Sequence, residues 1–239
     1  MDNAGYVALS RQAGLLKTLD VIANNIANVS TSGYKREDTA FAEHIKALEG
    51  EEPSLSMATM NRRFIDLSPG DMRMTGSALD FAIQGEGFFL IETPNGERLT
   101  RAGAFALNAN GEIVTPDGNA VLDEGGSALA VPQEASTISV ASDGTITADG
   151  APVGRIGVVA ASSQTLTREG SNLFIAEEGY QAVQNPGVVQ GALEGSNVSA
   201  VAEIAELIDV QRAYERGQKL IETEDERIRQ AVRQLGETR

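Results

Sequence analysis

The chain has 239 residues, enough to bury a real core in one or two domains, and its 41% apolar and 22% charged residues exclude wholesale disorder. A net charge of −15 and a pI near 4.5 exclude the basic surface that nucleic-acid partners require. The absence of cysteine rules out disulfides and thiolate metal sites, and no stretch reaches the roughly 18–20 apolar residues of a membrane span.

The first predicted element is a helix from about Asn3 to Val29. Ala8, Gln12, Leu15, Leu19, Ile22, Ile26 and Val29 alternate steps of four and three, a heptad stripe that keeps one face toward a partner helix. Leu16 and Ala23 are expected to widen it. Ser10, Arg11, Gln12, Lys17 and Asp20 interrupt the apolar residues, so no secretory h-region forms. A chain like this is expected to leave the cytoplasm without a cleaved signal peptide. Asn24, Asn25 and Asn28 close the helix, where asparagine side chains can bond backbone groups, and Gly33 permits a left-handed stop.

A polar, mixed segment from about Glu37 to Asp66 follows. It carries the only histidine, His44, which reads as a solvated surface residue. A Ser-His-Asp triad would need it, and a metal site would have one imidazole to use.

The middle reads as β. Phe88-Phe89-Leu90-Ile91 forms a strand, Asn95-Gly96 a hairpin turn and Arg98-Leu99-Thr100 the return. Ala104–Leu107, Ile113-Val114 and Ala120–Leu122 are further strands, separated by Asn110-Gly111 and Asp117-Gly118. Asp143-Gly144 and Asp149-Gly150 bracket Thr145-Ile146-Thr147. Arg155–Val159 and Leu173–Ile175 complete the set. Short strands at this spacing predict an antiparallel meander or barrel. This region is acidic: between Ala102 and Glu206 only Arg155 and Arg168 are basic.

A final helix is predicted from Val198 to Leu235, roughly 57 Å at 1.5 Å per residue. Ala200, Leu207, Tyr214, Ile221, Ile228 and Leu235 recur every seven residues. The row four further on, Ile204, Gln211, Gln218, Asp225 and Val232, is polar in its middle. Such a half-seam is expected to order in an assembly, because polar seam positions select register and partner at a cost in isolated stability.

Catalytic chemistry is not encoded in any motif. Gly85-Glu86-Gly87 lacks the third glycine of a dinucleotide loop and runs into a strand, so it reads as a tight turn. Asp143 and Asp149 read as turn residues, since the spacing of a calcium loop is absent. No cofactor is expected. An acidic pair of the glycosidase kind has only its base rate behind it.

Four segments resemble the flagellar rod and hook protein family in the family's order. They are Ala23–Arg36 with its asparagines, Thr75–Phe89, Leu99–Leu122 with Thr100-Arg101 and Gly103 before Phe105, and Gln190–Val198 with Ile208–Glu215. Met1-Asp2-Asn3 with Tyr6–Gln12 is similar to the proximal-rod branch. The resemblance implies a mainly β fold with long terminal helices: residues 1–36, a linker at 37–74, an antiparallel β domain at 75–190 and a C-terminal helix at 191–239. It implies a non-enzymatic, self-assembling subunit of the periplasmic rod that transmits torque. Export would use the flagellar type III apparatus, and the partners would be other rod subunits, with no nucleic acid and no membrane insertion. The terminal helices would pair as an inner coiled-coil layer beneath the β domain. The expected assembly interface is Leu15, Leu19, Ile22, Asn24, Asn25, Ile26 and Asn28 with Leu207, Gln211, Tyr214, Ile221 and Ile228. The rival readings are a distal-rod or hook member, a periplasmic peptidoglycan-acting protein and a soluble coiled-coil adaptor.

Overall fold

The computed structural model describes residues 2–46, 55–170 and 172–237. Helix α1 spans Asp2–Ala27 and helix α2 spans Ala200–Glu237. Between them run strands β1 (Glu37–Lys46), β2 (Leu55–Ile65), β3 (Met72–Met74), β4 (Phe81–Ile83), β5 (Phe88–Thr93) and β6 (Gly96–Thr100). Then come β7 (Ala106–Leu107), β8 (Ile113–Val114), β9 (Ala120–Val121), β10 (Ile138–Val140), β11 (Thr145–Ala148) and β12 (Ala151–Arg155). The last are β13 (Val158–Ala160), β14 (Leu166–Glu169), β15 (Leu173–Ala176), β16 (Gln181–Ala182), β17 (Val188–Gln190) and β18 (Ala192–Glu194). The fold is mainly β with a helix at each end, as the resemblance implies.

The chain divides into two compact units. One contains residues 1–27, 37–64 and 199–239; the other contains 28–36 and 65–198. In the first, α1 and α2 pack on each other, and β1 and β2 form a two-stranded sheet. Ser199 caps α2: its hydroxyl oxygen accepts from the Ala202 amide at 3.5 Å, at the turn where four helical N–H groups need partners.

The second unit is built on a sheet with the order β14-β15-β6-β5-β9-β8-β7, extended by β13, which pairs with β5 and β16. A three-stranded sheet β10-β11-β12 and the two-stranded ladders β17-β4 and β18-β3 complete it. Strand β5 explains the uninterrupted apolar run at its start. Phe89 and Ile91 enter one core with Phe81, Phe105, Ile113 and Ile156; Phe88 and Leu90 enter another with Leu99, Leu122 and Phe174. A strand buried on both faces shows no alternation. Ring contacts tie the layers, Phe89 to Phe105 at 5.3 Å and Phe88 to Phe174 at 5.2 Å.

Several local expectations shift. The first hairpin pairs Thr93 with Gly96, so its loop is Pro94-Asn95 and Gly96 opens the return strand. Arg155–Val159 is two strands, not one: Gly157 lies against the backbone of Leu122 and Asp123, and β12 and β13 join different sheets on either side of it. The mixed segment carries β1 and β2; the side chain of His44 lies outside the described residues. Asp143 serves its own turn, accepting from the Thr145 amide, whereas Asp149 sits in a turn but its carboxylate reaches back to the amides of Ser136 and Thr137.

Candidate assembly interface

The predicted stripe on α1 faces inward except at Val29, which lies beyond the helix end and is exposed. Gln12 and Ile22 are buried, and Ala8, Leu15, Leu19 and Ile26 are half-buried. Leu16 and Ala23 do not widen it; both are exposed. The stripe broadens on its other side through Gly14, Thr18, Val21 and Asn25, where the Thr18 hydroxyl lies 3.5 Å from that of Thr39 in β1.

On α2 the seam is half as expected. Ala200, Leu207, Tyr214 and Ile221 are half-buried, whereas Ile228 is 47% exposed. The second covered row lies three residues on rather than four: Glu203 is buried and Val210, Gly217 and Glu224 are half-buried. Ile204, Gln211, Gln218, Asp225 and Val232 are exposed. The side chain of Leu235 lies outside the described residues. The reason is polar matching. Gln12 Nε2 donates to the Tyr214 carbonyl at 2.9 Å, and a Cβ at Gly217 would stand 2.5 Å from that nitrogen. Asn25 Nδ2 donates to Glu203 Oε2 at 3.1 Å and to the Glu37 carbonyl at 2.8 Å, and its Oδ1 accepts from the Glu37 amide at 3.0 Å. Residue 12 thus meets 214 and 217 while residue 25 meets 203, which makes the pair antiparallel. The buried amide donors of Gln12 and Asn25, each with a partner on α2, fix register where apolar side chains would slide.

The structure therefore brings Asn25 into a polar knot and Leu15 into the groove that Gln12, Ala213, Gly217 and Leu220 also line. It leaves Asn24, Gln211 and Ile228 exposed. Asn28, half-buried, accepts from the Thr31 hydroxyl at 3.1 Å in the turn after α1.

A second cluster, in the β-rich unit, was not singled out by sequence reasoning. Glu194 Oε1 accepts from Lys35 Nζ at 2.7 Å and from the Gly70 amide at 2.9 Å, and Oε2 accepts from Arg101 Nε. Lys35 also donates to the Ser68 carbonyl at 2.7 Å. The rest of the Arg101 guanidinium is wrapped by three carbonyls, those of Ile83, Gly85 and Gly87. The Gly85-Glu86-Gly87 turn thus encloses a cation instead of a phosphate. Two glycines let these segments close up. A Cβ at Gly103 would sit 1.6 Å from the Phe81 carbonyl oxygen, and Gly33, at φ 72°, would place one 2.3 Å from the Ala102 nitrogen. The family-like segments around Lys35, Arg101 and Glu194 hence converge on one carboxylate.

Two cations face one anion here, and this sets the charges. Burial alone would raise Glu194, but the Arg101 charge and the bonds from Lys35 and Gly70 hold it below its ordinary value. Burial pulls Lys35 below its ordinary value, with the Arg101 charge acting the same way, against the opposing pull of Glu194 and Asp66. The signal in the sequence is a glycine within two residues of each of Lys35, Arg101 and Glu194, namely Gly33, Gly103 and Gly195. The cluster is saturated with internal bonds and suits clamping, not catalysis. Among the described residues no group of three or more His, Cys, Asp or Glu could hold a metal ion.

Three families match in chain order. They are the flagella basal body rod protein family at residues 6–35, the flagellar hook protein FlgE/F/G D1 domain at 82–148 and the flagellar basal body rod FlgEFG protein C-terminal family at 189–234. The flagellar basal-body rod protein FlgF of Caulobacter vibrioides is 41% identical, with 99% of each chain covered. FlgF of Rhizobium meliloti is 36% identical over the whole of both chains. FlgG of Bacillus subtilis is 34% identical, with 95% of this chain and 97% of that protein covered. The similarity runs through both terminal helices and the β-rich unit between them. The chain belongs to the flagellar basal-body rod protein family, and it is a structural rod component rather than an enzyme.

Proposed function

We propose that this chain is a subunit of the proximal rod in which α1 and α2 pair as the inner coiled-coil layer and neighbouring subunits cover the faces that one pair leaves open. The observation that carries this reading is the incomplete seam. The antiparallel pair buries Gln12, Ile22 and Asn25, yet Leu9, Leu16, Ile204, Ile208, Leu220 and Ile228 stay exposed on the same two helices. Apolar rows along a long helix call for a further partner, and heterologous contacts between identical subunits build a helical stack when the rotation does not close. The 41% identity to FlgF of Caulobacter vibrioides, over 99% of both chains, supports the proximal position.

On this reading the interface residues of the N-terminal helix are Leu15, Leu19, Ile22 and Ile26, with the asparagines fixing its end. The facing row is Leu207, Tyr214 and Ile221, while Gln211 and Ile228 point to neighbours. The subunit works in the periplasm, reaches it through the flagellar type III apparatus without a cleaved signal, and transmits torque along the rod axis. Ile228→Asp tests it, because that side chain is exposed and its loss leaves the monomer intact. The variant is expected to be exported and folded yet absent from isolated basal bodies, and its cells to be non-motile. Normal motility would refute the reading.

A further inference from the structure

Residues 187–197 run through the β-rich unit as a seam, bonding in turn to parts of it that are otherwise remote in sequence. The Gly187 carbonyl accepts from the Gln84 amide at 2.9 Å, and the Val188 amide donates to the Ser142 carbonyl at 2.9 Å. The Gln190 side chain bridges two regions: Nε2 donates to the carbonyls of Ala78 and Ile138 at 2.8 and 2.9 Å, and Oε1 accepts from the Val140 amide at 3.1 Å. The Gly191 carbonyl accepts from the amides of Thr75 and Gly76. Strand β17 pairs with β4 and β18 with β3, each the sole ladder partner of the other among the described residues. Asn197 Oδ1 accepts from the Arg36 amide at 2.6 Å, while its Nδ2 donates to the carbonyls of Asp66 and Ser68.

Glu194 lies on this seam. Lys35 and Arg101 each have a side chain at most 3% exposed, and among the described residues Glu194 is the one carboxylate bonded to either. Burying a cation without its counterion is strongly uphill. A chain that lacks the seam must therefore keep Lys35 and Arg101 in water. The three carbonyls around Arg101 and the close packing of Gly33 and Gly103 then stay open as well.

We propose that segment 187–197 is a closing latch: the β-rich unit stays unfolded until this late stretch of the chain joins, and then closes in one step. Loop-closure entropy opposes such distant pairings until they form together, so the latch sits in the rate-limiting step. A chain delivered N-terminus first cannot close its β-rich unit prematurely. The inference concerns folding alone and stands whether or not the helices line the rod axis.

Pulse-labelling hydrogen exchange during refolding of the full-length chain tests it, read by mass spectrometry on peptides from β5, β6, β17 and β18. The expected result is a single phase in which all four strands gain protection together. Asn197→Ala should slow that phase by about fivefold and Glu194→Gln by more than about tenfold, as contacts half-formed in the transition state would, while Glu178→Gln on the exposed surface should not. Should Glu194→Gln fail to fold, Asn197→Ala carries the comparison. Protection of β5 and β6 in a phase tenfold or more ahead of β17 and β18 would overturn the proposal, as would unchanged rates in the Asn197→Ala variant.

Discussion

Lys35 and Glu194, 159 positions apart, meet at 2.7 Å with each side chain 2% exposed. Arg101 approaches the same carboxylate from its other side. This one contact ties the segment after α1 to the strand before α2 and to the start of the β-meander. Glu194→Gln should cost about 3–5 kcal/mol, the usual penalty for stranding a buried charge. Urea unfolding followed by tyrosine fluorescence or circular dichroism measures it; a loss under about 1 kcal/mol would mean that the clamp is not what holds these segments.

The same carboxylate predicts acid sensitivity. Glu194 is depressed in the folded chain, chiefly because the cations outweigh its burial. Its contribution is complete above the unfolded value near 4.5 and is lost as pH falls through the folded value. Lys35 acts with the opposite range: its lowered value means that the unfolded chain holds that proton more tightly at alkaline pH, so it adds no acid lability. Urea midpoints should fall as pH drops below the unfolded value near 4.5 in the parent chain and fall less in Glu194→Gln.

Gly103→Ala should prevent the β-rich unit from closing, because the added carbon would overlap the Phe81 carbonyl oxygen and backbone cannot move aside as a side chain can. A destabilisation of at least about 3 kcal/mol in urea is expected, at the upper end for overpacking. A near-neutral effect would contradict the close approach of these two segments.

Asn25→Ala removes the side chain that bonds Glu203 and both backbone groups of Glu37. It should cost the helical unit about 1–3 kcal/mol. The helical signal at 222 nm should melt earlier. Coincident melting of the parent and the variant would show that the knot does not hold the helices.

Much of this was legible in the residues. The ends of both helices fell within about two residues of their predicted positions, because heptad stripes and caps are local signals. The β-hairpins were placed by Asn-Gly and Asp-Gly pairs. What escaped is long-range. Which row of α2 faces α1 depends on Gln12 and Asn25, which accept polar and glycine neighbours in place of Ile204 and Val232. The Arg101 cradle looked like a turn because its glycines act through their carbonyls, and its cation comes from just past the end of β6, outside the motif itself. Strands β17 and β18 are three residues each, too short for any period to show.

A cryo-electron microscopy map of the basal body with this subunit identified tests the central claim most directly. In that map α1 and α2 are expected antiparallel in the innermost layer, with Ile204, Ile208, Leu220 and Ile228 packed against adjacent subunits. Those side chains facing solvent, or the helices lying away from the rod axis, would contradict it.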